Sequence, residues 1–126
     1  FQKVWVGYDW TGRRFCRVVV DDRTSGRAVI LETGRPEFLH YYRVDVVGWD
    51  PNDFSIDLRL VRLDGEETYE LTCSLNPPEM MCEGVWKASY LGKPHRIRWR
   101  LLSEGVLTND LVCANRLMNE ADGTRR

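Results

Sequence analysis

Asp64-Gly65 separates two runs of alternating residues, and this junction most narrows what the chain can fold into. Before it, Phe54, Ile56, Leu58 and Leu60 alternate with polar residues, a period of two that belongs to a strand with one wet face. Asp-Gly between such runs predicts a hairpin with a type I′ turn, which needs positive φ at both central positions. The turn sets a register in which Leu60 faces Tyr69, Leu58 faces Leu71, Ile56 faces Cys73 and Phe54 faces Leu75, all apolar. On the other face Arg59 meets Glu70 and Val61 meets Thr68, pairs that favour a sheet. Turn chemistry and both faces therefore agree.

The same reasoning carries the meander in both directions. Around Asn76-Pro77-Pro78-Glu79, Leu75 pairs with Met80, Cys73 with Cys82, Leu71 with Gly84 and Tyr69 with Trp86, although proline is disfavoured at the third position of an ordinary tight turn. A turn at Leu91-Gly92-Lys93-Pro94 sets Ala88 opposite Ile97 and Trp86 opposite Trp99, and brings Lys87 beside Arg98. Ser103-Glu104-Gly105 reads as a three-residue hairpin loop, with Leu101 opposite Leu107 and Ile97 opposite Leu111. Upstream, a loop from Trp49 to Asp53 sets Val46 against Ile56, Val44 against Leu58 and Tyr42 against Leu60. That register opposes Arg43 to Arg59 and Asp45 to Asp57, a like-charge cost relieved only by diagonal contact of Asp45 with Arg59. Two earlier strands, near Arg14 to Asp21 and Arg27 to Thr33, flank the turn residues Asp22 to Gly26, for about eight strands in all. The stretch from Leu107 to Met118 reads as a further strand of the series. Its Leu107, Leu111, Ala114, Leu117 and Met118 also share one helical face, with Thr108 placed to cap it. The tail from about residue 119 is polar and reads as a turn or frayed end.

The expected fold is all-β: one domain over 1–126, an antiparallel up-and-down meander that closes into a barrel, because closure removes exposed strand edges. The alternative is a β-sandwich with a C-terminal helix. A length of 126 residues with 43% hydrophobic residues can supply one core. With 18 basic against 19 acidic residues, no net field draws the molecule to nucleic acid or an anionic membrane. No apolar run approaches the roughly 18 residues of a membrane helix, so a soluble protein, exported or cytoplasmic, is expected. The opening at Phe1, without a leader-like stretch or an initiator Met, is what a processed or trimmed chain would show.

Consecutive hairpins with an inward apolar face resemble the calycin group of lipocalins, fatty-acid-binding proteins and related small-ligand barrels, over most of the chain. Lipocalins carry Gly-x-Trp near the first strand; the nearest stretch here is Val4-Trp-Val-Gly-Tyr-Asp-Trp10, in which the order differs. The resemblance implies a barrel that holds one small, mostly apolar ligand. The predicted interior carries Tyr42, Tyr69, Trp86, Tyr90 and Trp99 beside the aliphatics, with His95 and Asn109 as polar groups near a mouth. Apolar walls with a few polar anchors describe a ligand pocket, and equally a filled core whose Tyr and Trp tips reach partners.

For catalysis the carboxylate pairs are Asp21-Asp22, Asp45 with Asp57, and Glu66-Glu67, all expected at turns or on the wet face, where nothing raises a pKa. No nucleophile elbow, zinc-binding helix or phosphate loop occurs. His40 and His95 have no second ligand at a metal spacing, and Cys16, Cys73, Cys82 and Cys113 lack the C-x-x-C pattern, so neither metal nor cofactor is expected. Cys73 and Cys82, directly opposite on the inward face, would form a disulfide in an exported protein and stay buried thiols in a cytosolic one. Lys87, Arg96, Arg98 and Arg100 make a basic stripe that reads as a solvated face paired with Glu83, Glu70 and Asp57, not as a nucleic-acid surface. The functional expectation is non-enzymatic binding of a small apolar ligand. Its alternatives are a protein-interaction module that uses an outer face or edge, homodimer included, and a small barrel enzyme using cavity Tyr, His or Asn groups.

Overall fold

In a computed structural model, which describes residues 3–35 and 38–125 of the expected 1–126 span, eight antiparallel strands follow one another around a closed barrel. They are β1 (Lys3–Asp9), β2 (Arg14–Val20), β3 (Ser25–Glu32), β4 (Leu39–Asp50), β5 (Ser55–Arg62), β6 (Glu67–Asn76), β7 (Glu79–Ala88) and β8 (His95–Ser103). A short 3₁₀ turn at Glu104–Val106 leads into one helix, α1 (Asn109–Arg125). β1 pairs with both β2 and β8, and this closes the sheet.

The eighth strand is β1 and not the 107–118 stretch, which is helical. The proposed hairpin at Ser103-Glu104-Gly105 is therefore absent, and with it the pairs Leu101–Leu107 and Ile97–Leu111. The reason lies in closure. Once β1 occupies the free edge of β8, a ninth strand has nothing to pair with, while Leu111, Ala114 and Met118 at helical spacing can cover apolar residues on the outside of the wall. α1 also runs on through the polar stretch from residue 119 that had read as a turn or frayed end.

The Asp64-Gly65 hairpin keeps its expected register from Val61 opposite Thr68 to Ser55 opposite Ser74. Its turn differs, because Gly65 has a φ of 79° while Asp64 is not in the left-handed region. The Gly65 N–H donates to the Arg62 carbonyl, and Asp64 Oδ1 accepts the Glu66 N–H at 2.9 Å, making a four-residue loop of the same parity. Phe54 does not face Leu75 in the interior. It precedes β5 with a φ of 51° and is 61% exposed, while its carbonyl accepts the Leu75 N–H. At the next corner all four expected pairs are present, and the Pro77–Pro78 peptide is cis, the geometry that admits proline at the third position of a tight turn.

Two registers slide by an even number of residues. Val46 lies opposite Leu58, Val44 opposite Leu60 and Tyr42 opposite Arg62, because β4 extends to Asp50 with an irregularity between Val46 and Gly48. Asp45 now faces Arg59 and Arg43 faces Val61, so the like-charge oppositions vanish. Between β7 and β8, Trp86 lies opposite His95, Gly84 opposite Ile97 and Cys82 opposite Trp99, because the connection is centred earlier than Leu91-Gly92-Lys93-Pro94. An even shift preserves which side chains point inward, and so the expected core survives both slips.

Two cores result. Inside the barrel, Val18, Ile30, Val44, Leu58, Leu60, Met80, Trp99 and Leu101 are buried to 1% exposure or less. Outside it, α1 seals Val6, Val29, Leu31 and Leu102 with Leu111, Ala114 and Met118. β2 is thereby buried on both faces, and its outward Arg17 must find polar partners under the helix. Its Nε donates to Asn115 Oδ1 at 2.9 Å, with Asp122 at 4.0 Å and Glu104 at 3.9 Å. Arg27 reaches the same Asp122 at 2.7 Å and Asp21 at 2.9 Å. Charged groups thus anchor the end of a helix whose start is held by apolar contact.

Candidate functional site

The barrel has two chemically different ends. The β1–β2, β3–β4, β5–β6 and β7–β8 connections meet at one end, where most of the sequence-predicted pocket residues gather. Tyr42, Tyr69 and Trp99 are buried at 1–2% exposure and packed on one another: the Tyr69 ring centroid lies 5.5 Å from Tyr42, 5.1 Å from Trp99 and 6.1 Å from Trp86, with which it stacks. Trp86 meets His95 and Tyr90 edge-on and carries the Arg14 guanidinium 4.7 Å from its ring centre. Six of the seven residues therefore form one continuous aromatic plug. The seventh, Asn109, does not: it lies exposed at the start of α1, outside the barrel, because the chain leaves the sheet after β8.

At the same end lies a carboxylate that sequence reasoning placed at a turn or on the wet face. Glu67 is 5% exposed and points inward. It accepts hydrogen bonds from Tyr42 at 2.7 Å, Tyr90 at 2.5 Å and Arg62 at 2.9 Å. Burial pulls its pKa up, but the hydrogen bonds from Tyr90 and Tyr42 and the charge of Arg62 outweigh that, so the carboxyl sits below its ordinary value. Burial, then the Glu67 bond, pushes the exposed Tyr90 phenol up to about 12. The signal was legible, since Glu67, Tyr69 and Leu71 share one parity; reading the turn as two residues long hid it. Three donors hold this carboxylate, and a group so well satisfied is a poor general base.

Beside the plug, β8 outruns β1. The β1–β8 ladder ends at Asp9–Trp99, followed only by the Trp10 N–H bond to the Arg98 carbonyl at 3.0 Å. His95, Arg96 and Ile97 thus pair with β7 alone, and the β1–β2 turn stands away from them. The gap opens into a groove of about 780 Å³ whose walls include Trp10, Arg13, Arg14, Trp86 and Arg96.

The opposite end, where β2–β3, β4–β5 and β6–β7 turn, holds a narrower pocket of about 330 Å³. Inward residues Trp5, Val20, Ile56, Leu75 and Met80 line it, Trp49, Pro77 and Pro78 form its rim, and Lys3 and Ser103 supply polar atoms. Val47 and Trp49 at the end of β4 and Phe54 on the β4–β5 connection, exposed at 65%, 41% and 61%, add neighbouring apolar surface. Between the two ends the interior is occupied by the buried core. Sequence reasoning missed this pocket because Trp5 lies in the unassigned β1 and Trp49 in what read as a loop.

The remaining expectations concern surface and sulfur. The basic stripe is largely paired: Arg98 with Glu83 at 2.9 Å, Lys87 with Glu70 at 3.1 Å, and Arg100 with Glu79. Lys87 is not beside Arg98, since the β7–β8 register sets Glu83 there. Cys73 and Cys82 face one another as expected and are thiols in this structure. Their mutual hydrogen bond, with burial, pushes the Cys73 pKa well up. Among the described residues no cluster of three His, Cys, Asp or Glu side chains could hold a metal ion, and no helix is long and apolar enough to cross a membrane.

No protein-family model, no curated protein and no solved structure matches the chain.

Proposed function

We propose that this protein binds one small, mostly apolar ligand, without chemistry, in the pocket walled by Trp5, Trp49, Ile56, Leu75 and Met80. The observation that carries the reading is the pocket itself: about 330 Å³, lined mainly by apolar side chains, with Lys3 and Ser103 as the polar ones. That volume and lining match the small end of ligand pockets, which combine apolar walls with few orienting groups. Lys3 at the rim suits a carboxylate or similar anionic head, and the exposed Trp49 and Phe54 give an apolar tail a landing surface. The reading keeps the ligand class implied by the calycin resemblance but moves the ligand from the Tyr42–Tyr69–Trp86–Trp99 plug, where rings fill the space, to the other end.

The chain's five tryptophans provide the test, because Trp5 and Trp49 mark this pocket, Trp10 and Trp86 the groove, and Trp99 the middle. In indole N–H NMR spectra, decanoate should shift Trp5 and Trp49 saturably and leave Trp10 in place. Decanol should bind more weakly, lacking the charge for Lys3, and Trp49→Ala should weaken decanoate by about tenfold, the value of one lost aromatic wall. Absence of a saturable shift at Trp5 and Trp49 with either probe rejects the reading.

A further inference from the structure

The groove beside β8 is chemically unlike the apolar pocket, and its groups are not used up by the fold. Four guanidinium groups border it, those of Arg13, Arg14, Arg96 and Arg98, together with His95. Two of the four are committed: Arg14 lies 3.6 Å from Asp9 and Arg98 lies 2.9 Å from Glu83. Asp9 is itself occupied by Thr11 Oγ1 and the Arg13 backbone N–H. Among the described residues, Arg13 and Arg96 are exposed and have no ion pair, and Asp9 and Glu83 are the only carboxylates lining the groove. The balance of charge there is positive, although the whole chain is near neutral.

Aromatic surface accompanies the charge. Trp10 is 62% exposed even though Arg98 sits 4.9 Å from its ring centre, so much of the ring faces solvent. The Trp86 indole Nε1–H, shielded from solvent, has no acceptor among the described residues. The backbone contributes as well. Arg98 turns its carbonyl to the β1 side, and strand alternation turns the Arg96 N–H and C=O to that same side, where no strand receives them. Guanidinium forks match carboxylate and phosphate oxygens bidentately, and an exposed indole accepts a flat ring on its face.

We propose that this groove is a binding site for a small planar aromatic anion, its ring laid on Trp10 and its carboxylate or phosphate held by Arg13 and Arg96. It is a site separate from the apolar pocket and does not depend on it. A flat ligand of nucleotide size fits the volume, and a small one is favoured over a polymer because only two unpaired guanidinium groups face the groove.

The experiment uses the full chain and its indole N–H signals, titrated with adenosine monophosphate and with 1-naphthoate. Adenosine and inorganic phosphate serve as half-ligands. At least one of the two aromatic anions should shift Trp10 saturably without moving Trp5 or Trp49, and the half-ligands should bind at least about tenfold more weakly. Arg13→Gln with Arg96→Gln, both at exposed positions, should weaken binding by about tenfold or more and abolish the preference for the charged ring. Trp10→Ala, read from the Trp86 indole signal, should weaken the aromatic anions while leaving phosphate unaffected. The proposal is overturned by no saturable Trp10 shift with either anion, by inorganic phosphate binding as tightly as both, or by unchanged binding in the double arginine variant. A decanoate shift confined to Trp5 and Trp49 has no bearing on these outcomes, so the two sites stand or fall separately.

Discussion

Tyr42 and Glu67 stand 25 positions apart in the chain, and the tyrosine hydroxyl donates to Glu67 Oε2 across 2.7 Å inside one end of the barrel. This bond ties β4 to β6 across the intervening β5, and Arg62 of β5 closes the set. An ionised carboxylate at a nearly buried position is tolerable only because three donors surround it.

Acid should act through this cluster. A carboxyl whose folded pKa is depressed contributes stability that is complete above the pKa of the unfolded chain, about 4.3, and that is lost as pH falls through the lower folded value. Urea unfolding should therefore show a falling stability below about pH 4. Glu67→Gln should be less stable at pH 7 by about 2 kcal/mol, from the lost charge-assisted bonds, and should show a flatter acid limb. An acid limb identical to that of the unsubstituted chain would remove Glu67 from this role.

Phe54 holds a left-handed backbone, with a φ of 51°, that a bulky L-residue adopts only at a cost, and most of its ring is in solvent. Phe54→Gly should relieve that cost and raise stability by up to about 1 kcal/mol, after the entropy of glycine is counted. If the exposed ring serves ligand entry, the same variant should bind decanoate more weakly. Thermal unfolding and the NMR titration read the two effects independently.

Asp122, 2% exposed, is shared by Arg17 and Arg27 and fixes the far turns of α1 on β2 and β3. Replacing it with Ala leaves the largely buried Arg17 short of a counter-charge. The expected cost is about 3 kcal/mol, with hydrogen exchange accelerated in α1 and in β2 beneath it. A loss below about 0.5 kcal/mol would show that Asn115 and Glu104 suffice for Arg17.

Thiol chemistry should separate one cysteine from the other three. Cys113 is exposed on α1, whereas Cys16, Cys73 and Cys82 are buried. Burial, ahead of the charge of Asp9, pushes Cys16 well up, and the Cys73 pKa is raised as well, so neither presents a thiolate near neutrality. A disulfide-exchange reagent should label one site in the native protein and four after unfolding without reductant. Two labelled sites after unfolding would instead reveal a Cys73–Cys82 bridge, which the opposite register permits.

The sequence alone determined the features that local chemistry dictates. Alternation from Ile56 to Leu60 and the Asp64-Gly65 and Pro77-Pro78 corners sufficed for the β5–β6–β7 register, because parity and a short connection set Ile56, Leu58 and Leu60 against Cys73, Leu71 and Tyr69 on the buried face. The all-β meander and the shared inward face of Tyr42, Tyr69, Trp86 and Trp99 followed from that parity. Tertiary structure decided what depends on partners far along the chain. Whether 107–118 became strand or helix turned on Lys3–Asp9 taking the edge of β8, an event at a separation no local pattern encodes. The irregularity after Val46 sets Asp45 opposite Arg59, and the inward Glu67 became tolerable only when Tyr42, Arg62 and Tyr90 converged on it. Both candidate sites arise in the same way: the apolar pocket needs β1 and the β4–β5 corner brought together, and the groove exists because β8 runs past the end of β1. Period and turn chemistry are properties of neighbours in sequence, whereas closure, stagger and burial of charge are properties of the finished barrel.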